Sequence, residues 1–145
     1  MMMKLLVPAF CVLFALGAAA AENRVSTHSG VYTEEQAVRG AEIYEQNCAI
    51  CHGADLAGTF EVPNLRGYFV GLWTGASLDL LYDYVSTAMP LYAPGALPPE
   101  TYADVVAYLL KANGAPAASR SLPNDPAALR AIIFNGPAAA SIKKD

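Results

Sequence analysis

Two thiols and an imidazole stand within five residues at Cys48-Ala49-Ile50-Cys51-His52, with Gly53 directly after them. Three chemistries use that spacing: a redox dithiol, half of a zinc site, and the covalent attachment of haem. A thioredoxin-like dithiol belongs at a strand-to-helix turn in a βαβ setting, but here helical periodicity precedes the motif and a glycine-containing loop follows it. A structural zinc site needs four ligands. Beyond residue 21 the chain offers no further cysteine and only one other histidine, His28. C-x-x-C-H is the signature of haem attachment. Two thiols three positions apart on a helical turn can add to the two vinyl groups on one edge of a porphyrin, and His52 is then carried under the ring.

Iron held by one histidine either keeps its sixth position open for gas or peroxide chemistry or fills it for electron transfer. Beyond residue 21 the chain has a single methionine, Met89, 37 residues after His52 and followed by Pro90. A lone methionine is commonly core filler; beside a haem-attachment motif its thioether becomes the candidate sixth ligand. His28 is the rival, yet its serine, threonine and glycine neighbours describe a solvated surface residue. The aromatic residues Tyr68, Phe69, Trp73, Tyr82 and Tyr92 suit the wall of a haem pocket and ordinary core packing equally well. The Trp73 indole N–H could also donate to a haem propionate.

The elements that must hold these residues are helical. Thr33 and Gln36 form a capping box, glutamates follow, and Ala37, Ala41, Tyr44 and Cys48 recur at helical spacing. Gly40 costs that helix roughly 1 kcal/mol against alanine, which implies close packing there. From Gly53 to Gly75 glycine and proline break any long element, and the chain reads as mostly loop. A second helix opens at Ser77, with Leu78, Leu81, Tyr82 and Val85 on one face, and must stop before Pro90. A third runs from Pro99 to Ala112, its buried stripe Tyr102, Val105, Val106 and Leu109, with Asn113-Gly114 as the stop. No strand pair is expected.

Residues 1–21 read as a signal peptide: Lys4, an apolar run, then small residues at Ala19 to Ala21. The uncharged run of 17 residues, which contains Pro8, is short for an uncleaved membrane anchor. The leader implies export to the periplasm with no stable membrane insertion after cleavage. Residues 22–32 read as an exposed N-terminal arm, and residues 115–145 as an Ala/Pro-rich extension with a short helix over 126–134 and a frayed end from Pro137. The net charge of −4 becomes −5 once Lys4 is removed, which argues against a nucleic-acid partner.

The segments "GAEIYEQNCAICHGADLAG", "VPNLRG", "TAMP" and "YADVVAYLLKANG", in this order and at these spacings, resemble class I c-type cytochromes. The resemblance covers Thr33 to Gly114. It is strongest to the soluble cytochromes and haem domains that serve periplasmic quinoprotein dehydrogenases. It implies an all-α fold of three main helices and loops wrapped around one covalent haem c. Cys48 and Cys51 would hold the haem, and His52 and Met89 would be its axial ligands. Pro63 would offer its carbonyl to the other nitrogen of His52, and Gly40 and Tyr44 would meet Tyr108 where the first and last helices cross. The implied function is electron transfer between a dehydrogenase-type donor and an oxidase or other cytochrome. The alternatives are the haem subunit of a dehydrogenase complex and an open-site peroxidase or gas-binding protein. The mature chain keeps only Lys111, Lys143 and Lys144, so docking on a strongly acidic partner face is not expected; an apolar rim around "PLYAPGAL" suits brief encounters.

Overall fold

The computed structural model describes residues 24–136; the leader over residues 1–21 and the tail from Pro137 lie outside the described residues. The first long helix, α1 (Glu34–Asn47), starts where the Thr33 hydroxyl accepts the Gln36 amide at 3.2 Å. Only half of the capping box forms. The Gln36 side chain turns away to the C-terminal extension, donating to Leu122 O at 3.0 Å and accepting from Leu122 N at 2.7 Å. A buried amide paired with a backbone amide in both directions satisfies all four groups, which the exposed N-cap position would not require.

The turn α2 (Ala49–His52), the short helix α3 (Gly67–Trp73) and the longer α4 (Leu78–Ala88) follow, then α5 (Pro99–Ala112) and α6 (Pro126–Arg130). The three helices read from periodicity are present, and the described residues are all-α apart from one small strand pair. α5 is the centre: besides the expected stripe, Ala103, Ala107 and Leu110 are buried, so apolar contacts surround it on nearly every side. It crosses α1 at Gly40, where a Cβ would overlap the Asp104 carbonyl. Beside the crossing the Tyr44 and Tyr108 rings lie 5.1 Å apart, and Arg39 grips Asp104 with two bonds of 2.7 and 3.0 Å.

Three expectations fail, for related reasons. A strand pair is present where none was expected, residues 24–32 are packed, and the C-terminal helix is short; the stretch read as mostly loop also carries one short helix, α3, whose two glycines weaken it. Phe69 packs edge-on against Phe134 at 5.7 Å, so tertiary packing outweighs propensity. Residues 24–32 are not an exposed arm. Val25–Ser26 (β1) pairs in parallel with Ile132–Ile133 (β2), and Thr27, Val31 and Tyr32 are buried. The extension does not carry a helix to residue 134: α6 stops at Arg130 and β2 begins at Ile132. A strand of two residues has no alternation to read, and its partner lies more than a hundred residues away.

The extension is sewn to the domain. Phe134 exchanges backbone hydrogen bonds of 2.8 Å with Gly75 and Ala76. Leu122, Leu129 and Phe134 are buried, and Arg130 reaches Asp79 at 3.0 Å. Burial pushes the Asp79 carboxyl up, but the Ser77 hydroxyl and Arg130 outweigh it and hold it below its ordinary 3.8. A depressed carboxylate contributes stability above its unfolded value and loses it as pH falls through the folded one. Asp79→Asn should therefore lower the thermal midpoint at pH 7 and narrow the gap between midpoints at pH 7 and pH 3. Melting curves at the two pH values check this, and an unchanged gap would contradict it.

Candidate functional site

α1 delivers the motif. Cys48 ends α1 at φ −120° and ψ −36° and opens α2, and both the Cys51 and His52 amides donate to its carbonyl, at 3.1 and 2.9 Å. One helical turn thus holds both sulfurs on the same side, as positions three apart require. Both are free thiols, Cys48 half-buried and Cys51 exposed. Burial, then the neighbouring Cys51, pushes the Cys48 thiol up to about 11, so it stays uncharged at neutral pH.

The loop after the motif aims one carbonyl at the histidine. Gly53 leaves the helix at φ 77°. Gly58 accepts no side chain, because a Cβ there would overlap the Val62 and Pro63 backbone. Its own amide donates to His52 O at 2.8 Å, and Thr59 N donates to Val62 O at 2.9 Å. The loop therefore folds back tightly, and Pro63 O lies 3.2 Å from His52 Nδ1. A carbonyl can only accept, so Nδ1 is the donor, and in the neutral imidazole Nε2 is then the nitrogen whose lone pair can bind a metal. Gly58 was missed by sequence reasoning; its signal is a glycine in a turn that must pass another strand of backbone.

Met89 caps α4, with its amide on Val85 O at 3.2 Å and extended dihedrals before Pro90. Its carbonyl accepts from Tyr102 Oη at 2.8 Å. The loop it begins is tied back to the motif, for Tyr92 Oη donates at 3.1 Å to Asn47 Oδ1, one residue before Cys48. The structure thus joins the Met89 loop to the cysteine turn. It does not join His28 to them, whose Nε2 meets Gly136 O. Tyr82 is a core residue, with its hydroxyl on Pro99 O at 3.0 Å. Trp73 is half-buried between Phe69 and Tyr84, at ring distances of 6.4 and 5.9 Å. A surface cleft of about 420 Å³ lined by Val38, Ala41, Arg66 and Tyr108 contains none of the candidate residues.

Residues 35–109 match the family model described as cytochrome c oxidase, cbb3-type, subunit III. The chain belongs to this family of class I c-type cytochromes. The cytochrome is 33% identical over 86 residues to a thiosulfate dehydrogenase of Allochromatium vinosum, an alignment covering 53% of this chain and 32% of that protein. It therefore spans about a third of the length of that relative. Among solved structures it is similar to the sulfane dehydrogenase SoxCD of Paracoccus pantotrophus, at 24% identity and TM-score 0.44, over 65% of this chain and 52% of that one.

Membership implies covalently bound haem c, and the residues present fit it. Two unpaired thiols and an imidazole with a free Nε2 occupy one turn. Ile50, between the two cysteines in the chain, is 83% exposed, and Leu91 and Tyr92, just after Met89 and Pro90, are exposed as well.

Proposed function

We propose that this cytochrome is an exported monohaem electron carrier, with Cys48 and Cys51 forming the thioethers and His52 and Met89 the axial ligands. The observation that carries the reading is the His52 Nδ1 to Pro63 O contact of 3.2 Å on a C-x-x-C-H turn. Bound haem supplies a one-electron Fe(III)/Fe(II) couple. The protein's part is to hold and tune it. Pro63 fixes the imidazole and raises its basicity, while Met89 brings a thioether, which favours the ferrous state and a higher potential than a second histidine would. Apolar surroundings act in the same direction, since they disfavour the extra positive charge of the ferric form.

The donor is proposed to be a dehydrogenase, on the strength of the thiosulfate dehydrogenase relative. The location is proposed to be the periplasm, on the leader pattern of residues 1–21. Among the described residues no helix is long and apolar enough to cross a membrane. A second reading, the haem subunit of a dehydrogenase complex, is favoured by the exposed Phe60, Leu91 and Tyr92, which a permanent partner would cover; co-purification separates the two. Spectra of the full exported protein test the core of the proposal. The expected result is one haem per chain by pyridine haemochrome, a sulfur-to-iron charge-transfer band when oxidised, and no carbon monoxide binding when reduced. Ready binding of carbon monoxide would instead establish an open iron site.

A further inference from the structure

We propose that Tyr102 is a positioning residue for the Met89 sulfur, its single hydroxyl clamping both ends of the loop over 89–97. The inference rests on the reading of Met89 as axial ligand. Tyr102 lies on α5, the most enclosed helix, and is only 3% exposed. Its Oη donates to Met89 O at 2.8 Å and accepts from Leu97 N at 3.3 Å. A phenol has one proton to donate, and here that proton and an oxygen lone pair are spent on backbone groups eight residues apart in the chain.

Pro90 is buried and Leu97 packs against the core, but the loop's remaining hydrogen bonds anchor it poorly. Its internal bonds, Ala93 N to Pro90 O and Ala96 N to Ala93 O, are local and move with it. The Tyr92 to Asn47 tie is exposed to water, where such a bond adds little. Pro90 and Pro94 supply no amide to anchor it. Besides the Met89 amide on Val85 O that ends α4, the Tyr102 clamp ties this loop to the buried core, and it acts on the residue whose sulfur must stay at the iron. Phenylalanine at 102 would leave the ring packing intact and release both backbone groups, so the loop would open more readily and expose the sixth position to an external ligand.

The test is imidazole titration of the oxidised, haem-loaded full chain, read by bleaching of the sulfur-to-iron charge-transfer band. Tyr102→Phe should bind imidazole roughly tenfold more tightly than the unsubstituted cytochrome, the scale of effect expected when the two part-buried hydrogen bonds of this hydroxyl are lost. Tyr32→Phe is the matched control, because it removes another buried hydroxyl, the one on Ala115 O at 2.5 Å, far along the chain from the loop. Equal affinities in the two variants would overturn the clamp and leave Met89 as ligand. Absence of the band in the unsubstituted cytochrome would overturn the ligand reading and the clamp with it. If Tyr102→Phe does not fold, hydrogen exchange on the unsubstituted cytochrome gives the answer. The Leu97 amide should exchange at least tenfold faster once imidazole has displaced the sulfur, and unchanged protection would overturn the clamp.

Discussion

Met89→Ala is expected to abolish the sulfur-to-iron charge-transfer band of the oxidised cytochrome and to lower its midpoint potential by ~0.1–0.2 V. Axial ligands tune haem over a range of about 0.8 V, and exchanging a thioether for water or a stray nitrogen base moves the couple toward the ferric state. Folding should suffer less than the redox centre. Met89 is only half-buried, and its backbone bonds to Val85 and Tyr102 do not depend on the side chain. Spectroelectrochemical titration of the two proteins gives both readouts in one experiment. A variant that keeps its band and potential would remove Met89 from the iron.

Gly40→Ala should be strongly destabilising. A Cβ at 40 would overlap the Asp104 carbonyl and press on Tyr108 Cβ. The obstacle is α5 backbone, which no rotamer change can move. Overpacking of this kind costs about 1–3 kcal/mol or more, and the gain of roughly 1 kcal/mol in helix propensity offsets only part of it. Separating α1 from α5 would also lengthen the Arg39 to Asp104 bonds and the Tyr44 to Tyr108 contact. The comparison that isolates the mechanism is Gly71→Ala in α3, where an added Cβ meets nothing within 4 Å. That substitution should stabilise by up to about 1 kcal/mol through propensity alone. Thermal melts of the two variants should therefore move in opposite directions, and a shared sign would refute the packing argument.

The same contrast explains what could be read from the chain before its fold was known. α1, α4 and α5 advertise themselves through apolar spacing that repeats every three or four residues, with Thr33 at one start and Asn113-Gly114 at one stop. The weakness that Gly40 brings to a good helix was itself a sign of close approach. α3 carried no such sign. Its seven residues include two glycines, and it exists because Phe69 finds Phe134 across 65 positions of sequence. Gln36 was legible as a cap partner but not as the clasp on Leu122, since nothing local names a residue 86 positions away.

By itself, the sequence determined the chemistry. Cys48, Cys51 and His52 carry the C-x-x-C-H spacing on which the proposed haem attachment rests, and the geometry of one helical turn is local and survives any tertiary arrangement. Tertiary structure alone decided how that turn is served. It brought the Pro63 carbonyl to His52, the Tyr102 hydroxyl to Met89, and residues 24–32 to the C-terminal extension. Each of these is a hydrogen bond whose partner is chosen by how the helices pack, and packing depends on long-range contacts that leave no periodic trace in the chain.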